Sequence, residues 1–179
     1  MAMLRASLGD DGEVLFRSSS GGVQVQVRNV CVDGMNDGMH GFHIHESGDT
    51  SEGCASMGGH YDPHGTRRHG GPHDRLKHLG DLGNLRAQGG CLDDVTFVAS
   101  ELTLEGIRDR GLVLHEREDD HGRGGTIESH TTGSAGARIS CGRIAAADLP
   151  PPIQLHDPSA ITPGTASSTI HPIANRMRQ

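Results

Sequence analysis

Short runs of alternating apolar and polar residues, separated by glycine-rich turns, constrain the fold of this chain most strongly. In GGVQVQVRNV the valines Val23, Val25 and Val27 recur at every second position, with glutamines between them. This period of two is typical of a half-buried β-strand. Similar alternation runs through DDVTFVASELTLEG and RGLVLHE, whereas no amphipathic helix of about ten residues can be recognised. The pattern predicts an all-β sandwich or barrel.

The apolar content is low, since hydrophobic residues make up 33% of the 179 residues and there is no Trp and one Tyr. Such a chain buries a small core, so we expect metal ions or a disulfide to stabilise it. The net charge of −7 gives no general attraction for nucleic acid. No apolar run approaches the length of a membrane span, and MAMLRASLGDDGEV lacks the apolar core of a secretion signal. These features predict a cytoplasmic protein with no nucleic-acid or membrane partner.

Two long segments interrupt the strand pattern: the first long loop (residues 46–81) and the second long loop (residues 117–137). Long loops in a compact β domain are usually functional. Residues 147–179 hold six of the eight prolines and show no sustained apolar period. We therefore predict a domain over residues 1–146 and a Pro-rich irregular tail over residues 147–179. The tail is either a dispensable extension or a docking peptide.

Histidine is unusually frequent, with 13 residues in the chain. In GFHIHESGD, His43 and His45 lie two residues apart and would point to the same side of a strand. Phe42 and Ile44 would then face the core. Two imidazoles side by side form half of a metal site, and the alternative is a polar strand face that happens to carry histidine.

Further candidate ligands follow in the first long loop: His60, His69, His78 and Asp81. Three imidazoles and one carboxylate complete a tetrahedral shell for zinc. His115 of RGLVLHE occupies a strand position that is expected to face outward from the core, like the pair in GFHIHESGD. With one further imidazole these rings provide four nitrogens, a set that suits Cu(II). Six histidines would then fill seven positions, so one ring would have to serve both metals as an imidazolate.

Four motifs resemble the copper–zinc superoxide dismutase family, in register over about residues 10–145: GFHIHE, GGHYDP…HGGP…HLGDLGN, LVLHEREDDHGRGG and GSAGARISCG. The resemblance implies an all-β fold, a Greek-key, eight-stranded, flattened β-barrel. This family shares the immunoglobulin-like sandwich architecture. The two long loops would carry the function.

The resemblance also implies roles for individual residues. The copper ligands would be His43, His45, His60 and His115. The zinc ligands would be His60, His69, His78 and Asp81. His60 would bridge the metals, and Asp119 would tie a copper histidine to a zinc histidine. Cys54 and Cys141 would form a disulfide, and Arg138 would lie beside the copper.

The implied activity is dismutation of superoxide to oxygen and hydrogen peroxide, by a copper redox cycle with a histidine-bridged zinc, in antioxidant defence. Arg138 would seat the superoxide anion, and His60 would pick up a proton. The alternative is a copper- or zinc-binding storage or delivery protein of the same fold without turnover. Copper-chaperone domains of this fold tend to lack copper ligands or the arginine, whereas this chain retains both. For the enzyme, the resemblance also implies a copper chaperone as a binding partner.

The remaining cysteines and histidines have no implied catalytic role. Cys31 and Cys91 lie in or beside strands and are expected to be buried free thiols. His40 is expected to be a hydrogen-bonded structural histidine, and the other histidines are expected on the surface.

The implied channel rim departs from the family pattern. This chain carries Ile127, Glu128 and Thr131 where the family often has a Glu–Glu pair and a steering lysine. Fewer cationic guides predict slower capture of the anion and a weaker salt dependence, unless Arg117 and Arg123 compensate.

Two further departures concern the zinc loop and assembly. The interval from His60 to His69 is one residue longer than the common pattern, and the loop can absorb this residue. The resemblance implies a homodimer, but the matching interface positions carry Arg108, Asp109 and Arg143. Arginines brought together across a two-fold axis need carboxylate partners, which leaves a monomer or a different interface open.

Overall fold

The computed structural model describes residues 3–147, in which two five-stranded antiparallel sheets contain most of the regular structure. Across the first sheet the strands are β11 (Ala145–Ala146), β1 (Met3–Leu8), β2 (Gly12–Ser19), β3 (Gly22–Arg28) and β8 (Val95–Ala99). Across the second they are β10 (Arg138–Arg143), β9 (Gly111–His115), β4 (Gly38–His45), β6 (Asp81–Gln88) and β7 (Cys91–Leu92). Residues 148–179 of the predicted tail lie outside the described residues, so the boundary of the tail stays a prediction.

The alternating valines of β3 enter the core as the period of two predicts. Val23, Val25 and Val27 are each at most 1% exposed. Val25 lies opposite Phe16 of β2, and Val27 lies opposite Val14. These cross-strand apolar pairs join β2 and β3 into one buried surface.

The connections between the sheets follow a Greek-key pattern. The chain leaves the first sheet after β3, builds β4, β6 and β7 in the second sheet, and returns as β8 beside β3. The longer strands, of five or more residues, are β1, β2, β3, β4, β6, β8, β9 and β10. The predicted all-β Greek-key fold is therefore confirmed.

Short elements complete the described part: β5 (Ser51–Cys54), a 3-10 helix (Ala55–Met57), α1 (Leu104–Ile107) and α2 (Ile127–Thr132). Within residues 3–147, no helix has the length and apolar character needed to cross a membrane.

The two long loops cover the outer face of the second sheet. The first long loop connects β4 to β6, and the second connects β9 to β10, which are neighbouring strands of this sheet. His43 and His45 point away from the hydrophobic core, yet both are at most 1% exposed. The loops therefore bury a polar face that the barrel alone would leave in solvent.

The prediction that Cys31 and Cys91 are free thiols is wrong, because a disulfide joins them. Cys31 follows β3, Cys91 begins β7, and the two residues form an isolated antiparallel bridge. They are 60 residues apart in the sequence, so only the tertiary fold brings them together. A second disulfide joins Cys54 to Cys141, the pair that the family resemblance implies.

Candidate metal centre

Four histidines converge on the outer face of the second sheet and form the four-histidine cluster: His43, His45, His60 and His115. Strand β4 directs His43 and His45 to the same side, and β9 ends at His115. His60 reaches them from the first long loop through an isolated bridge with His45. All four rings are buried, and one donor nitrogen from each lies within 4.8 Å of the others.

A second group shares His60 and forms the mixed cluster: His60, His69, His78 and Asp81. Its centre is Asp81 Oδ1, which lies 2.8 Å from His60 Nδ1 and 3.1 Å from His69 Nδ1. His78 Nδ1 lies 3.3 Å from the same oxygen. Three imidazoles and one carboxylate, all buried, are a donor set that zinc prefers.

The unpartnered ring nitrogens test whether these residues fit metal ions. Among the described side chains, the buried nitrogen atoms without a hydrogen-bond partner are His43 Nδ1, His45 Nε2, His60 Nε2, His69 Nδ1 and His115 Nε2. A buried polar atom without a partner costs about 1–3 kcal/mol. All of these atoms belong to the two clusters, so the donors fit metal ions at both.

Protein partners fix the orientation of the rings by binding the opposite nitrogens. His43 Nε2 lies 2.7 Å from Asp119 Oδ2, and His45 Nδ1 lies 3.0 Å from the carbonyl oxygen of Gly58. These contacts leave Nδ1 of His43 and Nε2 of His45 as the unpartnered atoms. Such outer contacts set the tautomer of a metal-ligating imidazole.

His60 presents one nitrogen to each cluster. Its Nδ1 faces Asp81 in the mixed cluster, whereas its buried Nε2 has no hydrogen-bond partner. Its ring centroid lies 4.2 Å from that of His43 and 5.4 Å from that of His78. One ring therefore borders both groups of donors.

Asp119 links the two clusters from behind. Its Oδ2 accepts from His43 Nε2 and its Oδ1 from His69 Nε2, both at 2.7 Å. Asn84 holds the backbone of Asp119 in place, accepting from its N–H at 2.7 Å and donating to its carbonyl at 2.9 Å. Sequence reasoning missed Asn84, although it lies in the HLGDLGN motif.

Gly133 allows the close approach of Asp119 and His69. It has φ +75°, and an added Cβ would lie 2.0 Å from Asp119 Oδ1 and 2.4 Å from His69 Nε2. A side chain at this position would displace the carboxylate that links the clusters.

Arg138 lies at the edge of the four-histidine cluster. It begins β10 opposite His115, next to an irregularity in the strand pairing. Its Nη1 donates to the carbonyl oxygen of Cys54 at 2.7 Å and its Nη2 to that of Gly58 at 2.6 Å. The disulfide to Cys141 anchors the same part of the loop.

A sequence profile of the family described as "Copper/zinc superoxide dismutase (SODC)" matches residues 10–144, which include both clusters, Asp119 and Arg138. The chain belongs to the copper/zinc superoxide dismutase family. The predicted family, enzyme type, substrate and metals, copper and zinc, are therefore confirmed.

Similar proteins of known name and one similar crystal structure agree with this family assignment. Over 136 residues, the chain is 48% identical to the extracellular superoxide dismutase [Cu-Zn] of Drosophila melanogaster, covering 74% of each protein. Over 150 residues, it is 41% identical to the same-named protein of Onchocerca volvulus, covering 80% of this chain and 74% of that one. A crystal structure described as that of the clock protein EA4 superposes with a TM-score of 0.71 at 36% identity, covering 81% of this chain and 94% of that one.

The predicted cytoplasmic location is wrong, because both of these superoxide dismutases are named as extracellular proteins. The two disulfides agree with the correction. Disulfides form and persist in oxidising compartments and are rare in the cytosol.

Burial keeps the four-histidine cluster of this dismutase neutral. Burial lowers the pKa of His43 to about 3 and that of His45 to about 2, and the neighbouring ring of His60 adds to this effect because two adjacent rings cannot both hold a positive charge without repulsion. Burial also lowers the pKa of His115 to about 4. Neutral imidazoles have a lone pair free at pH 7, as metal binding requires.

Carboxylates dominate the electrostatics of the mixed cluster. Burial opposes the charged ring of His69, but its hydrogen bond to Asp119 and the nearby negative charge of Asp81 outweigh burial and raise the pKa of His69 to about 9. Burial likewise opposes ionisation of Asp81, but hydrogen bonds from His60 and His78 hold its pKa well below the usual range. The ionised carboxylate of Asp81 therefore gives the mixed cluster a negatively charged donor, and a metal ion must displace a proton from His69 to bind there.

Replacing Asp119 with asparagine is expected to weaken zinc binding by about 10–100-fold, the usual effect of losing a partner behind a metal ligand. The uncharged amide has one acceptor oxygen, and its other terminal group is an NH2 donor. It therefore cannot accept hydrogen bonds from both His43 and His69, as the carboxylate does. Competition between the protein and a coloured zinc chelator measures the effect.

Asp120→Asn is the matched control. Asp120 accepts from Ser129 Oγ at 2.8 Å and from the backbone of Gly122 at 2.9 Å, so its main contacts are with the second long loop. Equal zinc affinity in the Asp119 and Asp120 variants would contradict the linking role of Asp119.

Proposed function

We propose that the four-histidine cluster holds copper, that the mixed cluster holds zinc, and that His60 bridges the two ions. The placement of the His60 nitrogens carries this proposal, because Nδ1 faces Asp81 while the buried Nε2 has no protein partner. Neutral nitrogen donors suit copper, and a site with a carboxylate and three imidazoles suits zinc.

When bound, copper supplies the one-electron redox chemistry of dismutation, while zinc is redox-inactive. The net reaction converts two superoxide anions and two protons into oxygen and hydrogen peroxide. Arg138 attracts the substrate anion. Its two carbonyl contacts use one N–H of each terminal nitrogen, which leaves further donors of the fork to orient superoxide.

The position of His60 would allow its Nε2 to hold a proton that is then passed to the hydrogen peroxide product. Its Nδ1 stays on the mixed cluster, and its Nε2 can carry a proton toward the peroxide. The loops that bury the rings exclude bulk water, so protons arrive at a defined atom.

Metal analysis together with superoxide decay tests the proposal. We expect equimolar copper, zinc and protein, and decay far faster than the spontaneous reaction. A protein that holds both metals without turnover would instead be the storage or delivery protein.

We also propose that the enzyme acts outside the cell. The names of the two relatives and the two disulfides support this proposal. Immunodetection in cultures of source-organism cells tests it, with the chain expected in the medium rather than in the lysate.

The homodimer and the copper chaperone stay predictions. Arg143 donates to Asp109 of the same chain at 2.8 Å, and both side chains are more than half exposed. The charge at this position is thus balanced within one subunit, and an exposed pair of this kind contributes little stability. Light scattering of the purified enzyme measures the oligomeric state.

We expect superoxide capture below the diffusion ceiling, with weak dependence on ionic strength. Arg123 pairs with Asp74 at 3.0 Å, so it is a poor substitute for a free steering cation. Ile127, 85% exposed at the start of α2, adds no charge. Stopped-flow decay of superoxide at low and high salt measures both properties.

Glu128→Lys provides the comparison, because it adds a cation to exposed α2. The variant should react faster and become more sensitive to salt. A parent enzyme that is already diffusion-limited and steeply salt-dependent would contradict the expectation.

A further inference from the structure

A basic cavity of about 380 Å³ lies between the two long loops, beside the mixed cluster. Arg68 and Arg75 of the first long loop and Arg123 of the second long loop contribute to its lining. His69 is the member of either cluster that borders it. Arg138, the proposed substrate-binding residue, is not among its lining residues, so the cavity is separate from the proposed substrate position.

The lining carries an excess of positive charge. Asp74 is the carboxylate in the lining, and it is paired with Arg123 at 3.0 and 3.2 Å. Arg68 and Arg75 form no ion pair with the residues that the structure describes, and both are exposed. A concentration of cations in a chain of net charge −7 marks a specific anion-attracting surface.

We propose that this cavity binds a compact dianion with a phosphate or sulfate group. Guanidinium groups bind such groups through paired N–H donors, and arginines from two loops can contact one tetrahedral anion from different sides. Superoxide is diatomic and singly charged, so it is a poor match for a cavity of this volume. The bound dianion would join the two long loops.

An apolar residue lies beside the arginines. Leu76 lines the cavity and is 58% exposed, one of the few large apolar side chains exposed in the described part. An anion with an apolar substituent, such as a phosphate ester, could cover this side chain and gain affinity from its burial. The free anion and the ester share the same charged group.

Calorimetric titration of the full-length, metal-loaded enzyme with inorganic phosphate tests the site. Sodium chloride keeps the ionic strength constant, so that general screening does not change. We expect saturable binding with a Kd of about 1 mM or below. Arg75→Gln should weaken binding about tenfold or more, Arg68→Gln should do the same, and Arg75→Lys should weaken it less.

Arg28→Gln is the matched control, since Arg28 is exposed at the end of β3 in the first sheet. It should leave phosphate binding unchanged. Absence of saturation up to about 10 mM phosphate, or equal weakening by the Arg75 and Arg28 variants, would overturn the proposal. Because binding is the readout, the result does not depend on dismutase activity.

Phenyl phosphate distinguishes the two sources of the anion. Binding several-fold tighter than that of phosphate, with the advantage lost in Leu76→Ser, supports an organic ester as the occupant. Equal affinities, with both still sensitive to Arg75→Gln, support a free inorganic anion. Phenyl phosphate binding that is insensitive to Arg75→Gln would contradict the site.

Discussion

Replacing His60 with glutamine is expected to lower the content of both metals and to slow superoxide decay about a hundredfold or more. His60 is the residue common to both clusters. A glutamine amide cannot offer two opposed nitrogen donors, so it cannot serve both groups. Losing an outer partner of a metal ligand already lowers metal affinity or activity by about 10–100-fold, and losing a shared ligand should lower them at least as much.

Two further variants separate bridging from general damage. His115→Gln removes a donor from the four-histidine cluster alone, so copper should fall while zinc is retained. His73→Gln changes an exposed histidine of the first long loop outside both clusters and should leave both metals bound. If His60→Gln lost copper but kept zinc at the parent level, the bridging assignment would be wrong.

The ligands on β4 were predictable because their geometry is local. A strand alternates its side chains, so the apolar character of Phe42 and Ile44 was enough to place His43 and His45 on the opposite face. Both pairs lie as expected, since Phe42 and Ile44 are in the core and neither histidine is. Burial of the histidines, however, depends on loops that are distant in the sequence.

Features that depend on contacts between residues distant in the sequence could not be predicted from local patterns. Cys31 and Cys91 both lie near strands, and local pattern gave no sign that the Greek-key crossover pairs them. Asn84 clamps Asp119 across 35 residues, a contact that exists only after β6 and the second long loop have met. Such contacts are properties of topology rather than of periodicity.

Helix α2 was missed for a different reason. It spans Ile127–Thr132, too short for an apolar period to develop. Its ends are nevertheless encoded locally, because the hydroxyl of Thr126 accepts from Ser129 N–H at 3.0 Å and Gly133 ends the helix in the left-handed conformation. Attention to capping residues would have located it.

Removing the Cys54–Cys141 disulfide is expected to reduce both stability and turnover, whereas removing Cys31–Cys91 should reduce stability alone. The bridges span 87 and 60 residues, and loss of either should lower the free energy of unfolding by about 2–5 kcal/mol. Only the first is adjacent to Arg138, whose Nη1 donates to the carbonyl oxygen of Cys54.

Paired Cys→Ala variants of each bridge make the comparison, with denaturant unfolding of the chelator-treated proteins and superoxide decay of the metal-loaded ones. Both variants should unfold at lower denaturant concentration. Without its bridge, Cys54 no longer fixes the loop that holds Arg138, so only this variant should lose rate at equal metal content. Equal rates in the two variants would show that the carbonyl contacts alone position the guanidinium. The variant that lacks Cys31–Cys91 is the reference for a loss of stability alone. The backbone hydrogen bonds beside this bridge, from Val32 to Gly90 and from Leu92 to Val30, connect strand ends that lie away from the two clusters.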